Sequence, residues 1–144
     1  GWDFAQLENR SVLKTGYQGE HGSWTCYAQT REEDQQFLFY AVCPIRAPEK
    51  KRAAVAEYIT RANYGMVIGN FEMDYSDGEV RFKTSIDVED AELSESMVRS
   101  ATYWAVVMMD RYLPGLLKVI GGSTPPAEAI DEIEAEDHPD PSKS

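Results

Sequence analysis

The chain has 144 residues, 42% of them hydrophobic and 11% aromatic, so it is long and apolar enough to fold around its own core. Its formal net charge of −11 disfavours nucleic acid and anionic membrane surfaces as partners, because both attract basic patches. The sequence contains no apolar run of membrane-spanning length and opens with no signal segment. Two cysteines are too few for a disulfide scaffold, so we expect a cytoplasmic protein with reduced thiols.

The first third of the chain predicts three strands, at 11–15, 23–30 and 36–43, with a polar loop before the last. Antiparallel pairing of the second and third strands gives two distinct faces. One is small and apolar enough for the core and carries Trp24, Cys26, Ala28, Phe37, Phe39, Ala41 and Cys43. The other is amphipathic, and its apolar members and phenol hydroxyls are those of Tyr27, Leu38, Tyr40 and Val42.

A helix is predicted over 49–63, because apolar residues recur at helical spacing along it. The next segment, 68–88, predicts a β-hairpin with Asp77-Gly78 as a two-residue type I′ turn. That turn pairs Phe71 with Thr84 and Met73 with Phe82 on an apolar face. It also sets Glu72 opposite Lys83 and Asp74 opposite Arg81 on a charged face.

The end of the chain predicts a long helix from an N-cap at Ser94 to Ile120, with a continuous apolar stripe and an internal Pro114 that must kink or interrupt it. We expect this helix to cover the apolar face of the hairpin. Residues 1–122 then form one α+β domain, in which an antiparallel sheet of about five strands packs against helices. Residues 123–144 form an acidic tail, with a short helix over 126–136 and disorder beyond it.

No catalytic, cofactor-binding or metal-binding residue is predicted. His21 and His138 lack Cys or His partners at ligand spacing, and no glycine-rich stretch matches a phosphate-binding loop. Cys26 and Cys43 face each other if their hairpin turns at Asp34-Gln35, which leaves a redox pair open as an alternative to two buried, inert side chains. The stripe around Met108-Met109 can likewise be core or the wall of a ligand groove.

Several short segments together form a specific pattern: Arg61-Ala62-Asn63-Tyr64-Gly65, Ile68 to Glu72, Asp77 to Ser85, and Asp110-Arg111-Tyr112-Leu113-Pro114-Gly115. With this pattern the chain resembles the YbjN family of bacterial sensory transduction regulators. Trp24-Thr25-Cys26 and Phe39-Tyr40 are similar to the cyanobacterial-type members. The resemblance implies a fold like that of type III secretion chaperones, often a homodimer, with no established catalytic residues. It also implies a first helix before the Trp2 region, which either lies outside this sequence or is replaced in space by another segment.

Three functions remain open from the sequence. The first is a non-catalytic, chaperone-like protein-binding module whose interaction residues are Tyr27, Leu38, Tyr40, Val42, Arg81 and Lys83, because tyrosine on a half-apolar surface suits an interface. This function requires that the chain's own helices leave the amphipathic face uncovered. The second is a small-molecule sensor or small enzyme that uses the Met-rich groove or the cysteine pair. The third is a structural unit whose main property is homodimerisation.

Overall fold

The computed structural model describes residues 5–6, 12–31, 35–89 and 92–137. Within these residues six strands form one antiparallel sheet in the order β1-β2-β3-β4-β6-β5. The strands are β1 (Ala5–Gln6), β2 (Val12–Gln18), β3 (Ser23–Arg31), β4 (Gln36–Val42), β5 (Asn70–Met73) and β6 (Val80–Asp87). The helices are α1 (Arg52–Asn63), which follows a 3-10 turn at Glu49–Lys51, then α2 (Glu95–Gly121) and α3 (Pro126–Asp137). The predicted α+β architecture is confirmed, and the two-residue β1 adds a sixth strand at one edge of the sheet.

Buried and half-buried side chains alternate along the strands, so the sheet has a covered face and an open face. On β4, Phe37, Phe39 and Ala41 are buried, whereas the residues between them are half-buried. Each buried phenylalanine contributes about 1.5–3 kcal/mol relative to an exposed one, so a one-residue slip in register would be costly. The covered face is the one that the sequence assigns to the core.

Helix α2 lies across the covered face, as predicted. Phe71 and Phe82 are buried, and the ring of Phe71 meets that of Tyr112 edge-on with 5.7 Å between centroids. The hydroxyl of Thr84 donates a hydrogen bond of 3.0 Å to the carbonyl of Ala101 in α2. The apolar face of the β5–β6 hairpin therefore packs beneath the long helix.

The predicted register of this hairpin is wrong by two residues. Phe71 pairs with Phe82 and Glu72 with Arg81, and the six residues 74–79 connect the strands instead of a two-residue turn. Gly78 has a positive φ of 80°, but Asp77 does not, so a type I′ turn does not form. The Asp74 carboxylate accepts the N–H of Ser76, and Gly78 is held against the chain before α1 by a hydrogen bond from the Ala47 N–H to its carbonyl. A shift of two residues keeps each side chain on its predicted face.

Helix α3 forms a third layer on the outside of α1 and α2. Its apolar side chains, Ala129, Ile130 and Ile133, are buried in the same core as the rest of the fold. Glu128, Asp131 and Glu132 of this helix are exposed, and Glu132 pairs with Lys118 of α2 at 2.8 Å. The helix lies where the sequence predicts one, and its residues 126–135 belong to the packed body. The predicted disorder at the end of the chain lies outside the described residues.

Candidate functional site

The face of the sheet opposite the helices brings together all six predicted interaction residues. We call this the open face, and its members are Tyr27, Leu38, Tyr40, Val42, Arg81 and Lys83 with the neighbouring Lys14 and Glu72. The six predicted residues are all half-buried, as expected for side chains that pack against one another along a sheet surface. Within the described residues the helices pack on the sheet through its other face.

The centre of the open face is a row of side chains that crosses four strands. Lys14 of β2 is opposite Tyr27 of β3, Tyr27 is opposite Tyr40 of β4, and Tyr40 is opposite Lys83 of β6. The Lys14 ammonium lies 6.0 Å from the centre of the Tyr27 ring. With a spacing of about 4.8 Å between strands, the two lysine positions are about 14 Å apart, with both phenol rings between them.

A three-residue ionic cluster fixes one side of this row. The Glu72 carboxylate accepts hydrogen bonds from Arg81 at 2.5 Å and from Lys83 at 3.1 Å. Burial opposes ionisation of this carboxyl, but the hydrogen bonds and charges of Arg81 and Lys83 outweigh it and lower the pKa of Glu72 below its ordinary value. The Arg81 guanidinium also stacks 4.1 Å from the centre of the Tyr40 ring. The cluster therefore holds Tyr40 in a defined orientation.

The two cysteines lie on the covered face, away from this surface. The register pairs Cys26 with Ala41, so the condition for a facing pair is not met and the thiols do not lie opposite each other. Both thiols are free and buried, and burial raises the pKa of Cys26 to about 12 and that of Cys43 to about 11. At neutral pH such thiols are protonated and poor nucleophiles.

A groove does exist beside the Met-rich helix. It has a volume of about 510 Å³ and is bounded by the α1–β5 loop, by Trp104 and Met108 of α2, and by Glu134 of α3. Tyr64 and Val67 of the loop are almost fully exposed, at 92% and 94%. Of the two methionines singled out from the sequence, Met108 lines the groove and Met109 is buried in the core.

The fold also brings Asp110 to the neighbouring residues Glu20 and His21, which makes a group of three potential metal ligands. Donor atoms of Glu20, His21 and Asp110 all lie within 4.8 Å of one another. Asp110 accepts the backbone N–H of His21 at 2.9 Å and faces its ring Nδ1 at 3.2 Å. An added Cβ on Gly19 would lie 2.2 Å from the same carboxylate. These contacts fasten the β2–β3 turn onto α2, a pairing across 89 residues that local spacing cannot reveal.

The segments that carry the family resemblance have clear structural roles. The side-chain amide of Asn63 accepts the N–H of Phe71 at 2.7 Å and donates to its carbonyl at 3.0 Å. These two hydrogen bonds satisfy the backbone groups of Phe71 at the outer edge of β5. Gly115 leaves room for Tyr58 of α1, whose hydroxyl donates a buried hydrogen bond of 2.7 Å to the carbonyl of Tyr112. Pro114 lies beside this contact, and α2 continues through it.

These features define an α+β protein with helices on one face of an antiparallel sheet and an amphipathic surface on the other, which no helix among the described residues covers. The model of the YbjN family, described as "Putative bacterial sensory transduction regulator", matches residues 1–118, so the chain belongs to this family. The resemblance inferred from the sequence is confirmed at the level of the family.

Solved structures support the same fold. The crystal structure of YbjN from E. coli, titled a putative transcription regulator, is similar with a TM-score of 0.56 over 79% of this chain and 81% of that chain. The two sequences are 13% identical, so the likeness shows the shared fold alone. No curated protein matches the chain significantly. Within the described residues, none of the helices has the length and apolar character that crossing a bilayer requires.

Proposed function

We propose that this protein is a non-catalytic, chaperone-like regulatory module that binds another protein through the open face. The observation that carries the proposal is the arrangement of Tyr27 and Tyr40 side by side on a surface that no described helix covers. Tyrosine supplies a large apolar contact with a polar tip and loses little conformational entropy when it is bound. Family membership supports a regulatory role.

The absence of catalysis is part of the proposal. It is supported by the burial of both thiols, whose raised pKa values leave them protonated at neutral pH. It is also supported by the role of Asp110, which already accepts the N–H of His21 and fastens a turn.

Affinity capture from a native lysate tests the open face. The wild-type protein and a Tyr40→Glu variant are used as baits, with Tyr103→Glu as the matched control, because Tyr103 is exposed on α2. We expect Tyr40→Glu to lose the partner and Tyr103→Glu to keep it. Circular dichroism checks that both variants are folded. Retention of every partner by Tyr40→Glu contradicts the proposal.

We further propose that the protein is a homodimer whose contact lies on the helix side of the molecule. Tyr64 and Val67 are large apolar side chains with almost full exposure there, and burying them in a dimer is favourable. Light scattering after size exclusion should give twice the chain mass for the wild type and for Tyr40→Glu. A Tyr64→Ser/Val67→Ser variant should shift toward the monomer. A wild-type monomer at all concentrations refutes the dimer.

A second candidate function is a small-molecule sensor that uses the groove beside Trp104 and Met108. The observation that favours it is a volume of about 510 Å³, which matches the size of ligand sites. A thermal-shift screen tests it with small, largely apolar molecules that carry one negative or one positive charge, and Met108→Ala is the groove variant. A ligand shift that Met108→Ala abolishes would support the sensor, and a screen without any shift would count against it.

We also infer a cytoplasmic location, which is supported by the free, buried thiols. We also propose that the protein belongs to the cyanobacterial type of the YbjN family, because Trp24-Thr25-Cys26 and Phe39-Tyr40 are similar to those members. Cell fractionation tests the location, and comparison with cyanobacterial family members tests the subtype.

A further inference from the structure

The turn between β2 and β3 carries two potential metal ligands to the surface of α2. Glu20 and His21 are the central residues of this turn, which closes with a hydrogen bond of 2.8 Å from the N–H of Gly19 to the carbonyl of Gly22. Donor atoms of Glu20, His21 and Asp110 of α2 lie within 4.8 Å of one another. Gly19 lets the Asp110 carboxylate approach, because an added Cβ would overlap it. Packing of the turn on the helix therefore sets the position of the group.

The donor set of this group has the chemistry of a transition-metal site. One imidazole nitrogen with two carboxylates suits Zn²⁺ and the neighbouring divalent ions of the first transition row, whereas Ca²⁺ and Mg²⁺ prefer oxygen ligands alone. The imidazole distinguishes the group from an ordinary cluster of surface acids. The carboxylates of Glu20 and Asp110 repel each other at this distance, and a cation between them removes the repulsion.

The distance between His21 and Asp110 fits a shared ion. Nδ1 of the ring and Oδ2 of the carboxylate are 3.2 Å apart. An ion about 2.1 Å from each atom would have a ligand–metal–ligand angle of about 100°, which lies between the octahedral and the tetrahedral values. The other oxygen of Asp110, Oδ1, accepts the backbone N–H of His21 at 2.9 Å. This hydrogen bond fixes the orientation of the carboxylate, as outer-shell hydrogen bonds do at metal sites.

Glu20 supplies the third donor, and a cavity supplies the space for water ligands. A tetrahedral ion sets its donors about 3.4 Å apart, so the exposed Glu20 side chain has to move its carboxylate by about 1.4 Å or less. A cavity of about 700 Å³ opens beside the group, between the turn, α2 and α3. Lys118 in its wall is paired with Glu132 at 2.8 Å. Among the other lining residues, the carboxylates of Glu20 and Asp110 outnumber the cation of Arg111, so a hydrated cation can approach from this side.

We propose that Glu20, His21 and Asp110 form a binding site for a divalent transition-metal ion of the Zn²⁺ class. The ion is bound by these three side chains and completes its coordination with water from the cavity. It links the β2–β3 turn to α2 and so stabilises the folded state in which the turn and the helix meet. The inference goes beyond the proposed function and does not depend on the open face.

Isothermal titration calorimetry on the full chain tests the inference. The protein is prepared without an affinity tag, freed of metal with a chelator, and titrated at neutral pH with Zn²⁺, Mg²⁺ or Ca²⁺. We expect one Zn²⁺ per chain, and we expect Mg²⁺ and Ca²⁺ to bind about tenfold more weakly or less, because they gain little from an imidazole ligand. Zn²⁺ should also raise the midpoint of thermal unfolding, because it binds the folded state.

Variants of the protein locate the ion. His21→Gln and Asp110→Asn should each weaken Zn²⁺ binding by about tenfold or more, since loss of an outer-shell partner alone costs about 10–100-fold at metal sites. Both replacements keep the backbone N–H at position 21 and an oxygen at position 110, so the turn can stay fastened. Glu20→Gln should also weaken binding, and its exposed side chain leaves the fold intact. Circular dichroism checks that each variant is folded.

Two matched controls remove the same kinds of side chain elsewhere in the chain. His138→Gln removes the other histidine, and Glu128→Gln removes an exposed acid of α3. Each should change Zn²⁺ binding by less than about twofold, because distant sites act independently. Magnetic resonance of the histidine rings gives a second readout, since the chain has two histidines and His138→Gln assigns them. We expect Zn²⁺ to shift the ring signals of His21.

Five results would overturn the inference. Three of them concern Zn²⁺ binding by the variants: no binding of Zn²⁺ below about 1 mM by the wild type, unchanged binding by both His21→Gln and Asp110→Asn, or an equal loss in His138→Gln. The fourth is equal affinity for Ca²⁺, which would mark a non-selective acidic surface. The fifth is a shift of ring signals confined to His138. The proposed function is tested separately, by the partners that Tyr40→Glu retains from a lysate.

Discussion

Replacing Gly115 by alanine tests the contact between α1 and α2. The added Cβ would lie 2.4 Å from the Tyr58 hydroxyl and 3.0 Å from its ring, so the ring must move. Overpacking of this kind costs about 1–3 kcal/mol, and loss of the buried hydrogen bond to the Tyr112 carbonyl costs about 1–3 kcal/mol more. The better helix propensity of alanine returns about 1 kcal/mol. We therefore expect Gly115→Ala to lower the free energy of unfolding by about 1–5 kcal/mol, with a central value of about 3 kcal/mol.

Urea denaturation followed by circular dichroism measures this change, and Gly121→Ala is the matched control. Gly121 is the last residue of the same helix, and an added Cβ there meets nothing within 4 Å. The control should be neutral or more stable by up to about 1 kcal/mol. Because Tyr58→Phe removes the nearest atom, the double variant Tyr58→Phe/Gly115→Ala should lose less than the sum of the two single changes. Equal stability of Gly115→Ala and Gly121→Ala would refute the packing described here.

Three further predictions concern the edge of the sheet, the thiols and the ionic cluster. Asn63→Ala should lower the free energy of unfolding by about 2 kcal/mol in urea titrations, because the backbone of Phe71 loses two hydrogen-bonding partners; an unchanged midpoint would argue against this pairing. Cys26 and Cys43 should react with a thiol reagent at neutral pH only as fast as the protein opens, because their pKa values are raised to about 12 and 11; rapid modification of the folded protein would contradict their burial. Glu72→Gln should destabilise the protein by about 1 kcal/mol at pH 7. The difference in free energy of unfolding between wild type and variant should shrink as the pH falls below the ordinary carboxyl pKa of 4.5, because a lowered pKa stabilises only the ionised group. A difference that does not depend on pH would point to packing.

The strands and helices could be predicted from local patterns because alternation and helical spacing report which side of each element is buried. The cap of α2 is an example, since the hydroxyl of Ser94 accepts the N–H of Met97 at 3.1 Å. The hairpin turn could not be predicted in the same way. Asp77-Gly78 is a strong local signal for a two-residue turn, but Ala47 binds Gly78 from a distant part of the chain and selects a longer loop. Tertiary contact overrides turn propensity at this point.

The composition of the open face was predictable, but its lack of a helical cover was not. Alternation on β3 and β4 places Tyr27 and Tyr40 on one face, whatever lies above it. The apolar pattern predicts that α2 packs on the other face, but whether a further helix of the chain also covers the amphipathic face depends on tertiary packing, which no local pattern records. The contact between His21 and Asp110 is hidden for the same reason. The family segments predicted the fold because they contain residues, such as Asn63 and Gly115, that fix the packing between elements. These residues do not lie on the open face, so the segments do not predict its role.

Photo-crosslinking inside living cells tests most directly whether the open face is the binding surface. Benzoylphenylalanine is placed at Tyr27 on the open face or, as the matched control, at Tyr103, which is exposed on α2. Our account predicts a covalent adduct with another protein from position 27 and none with that protein from position 103. An adduct formed only from position 103, or none from position 27 in cells where the partner is captured, would contradict it.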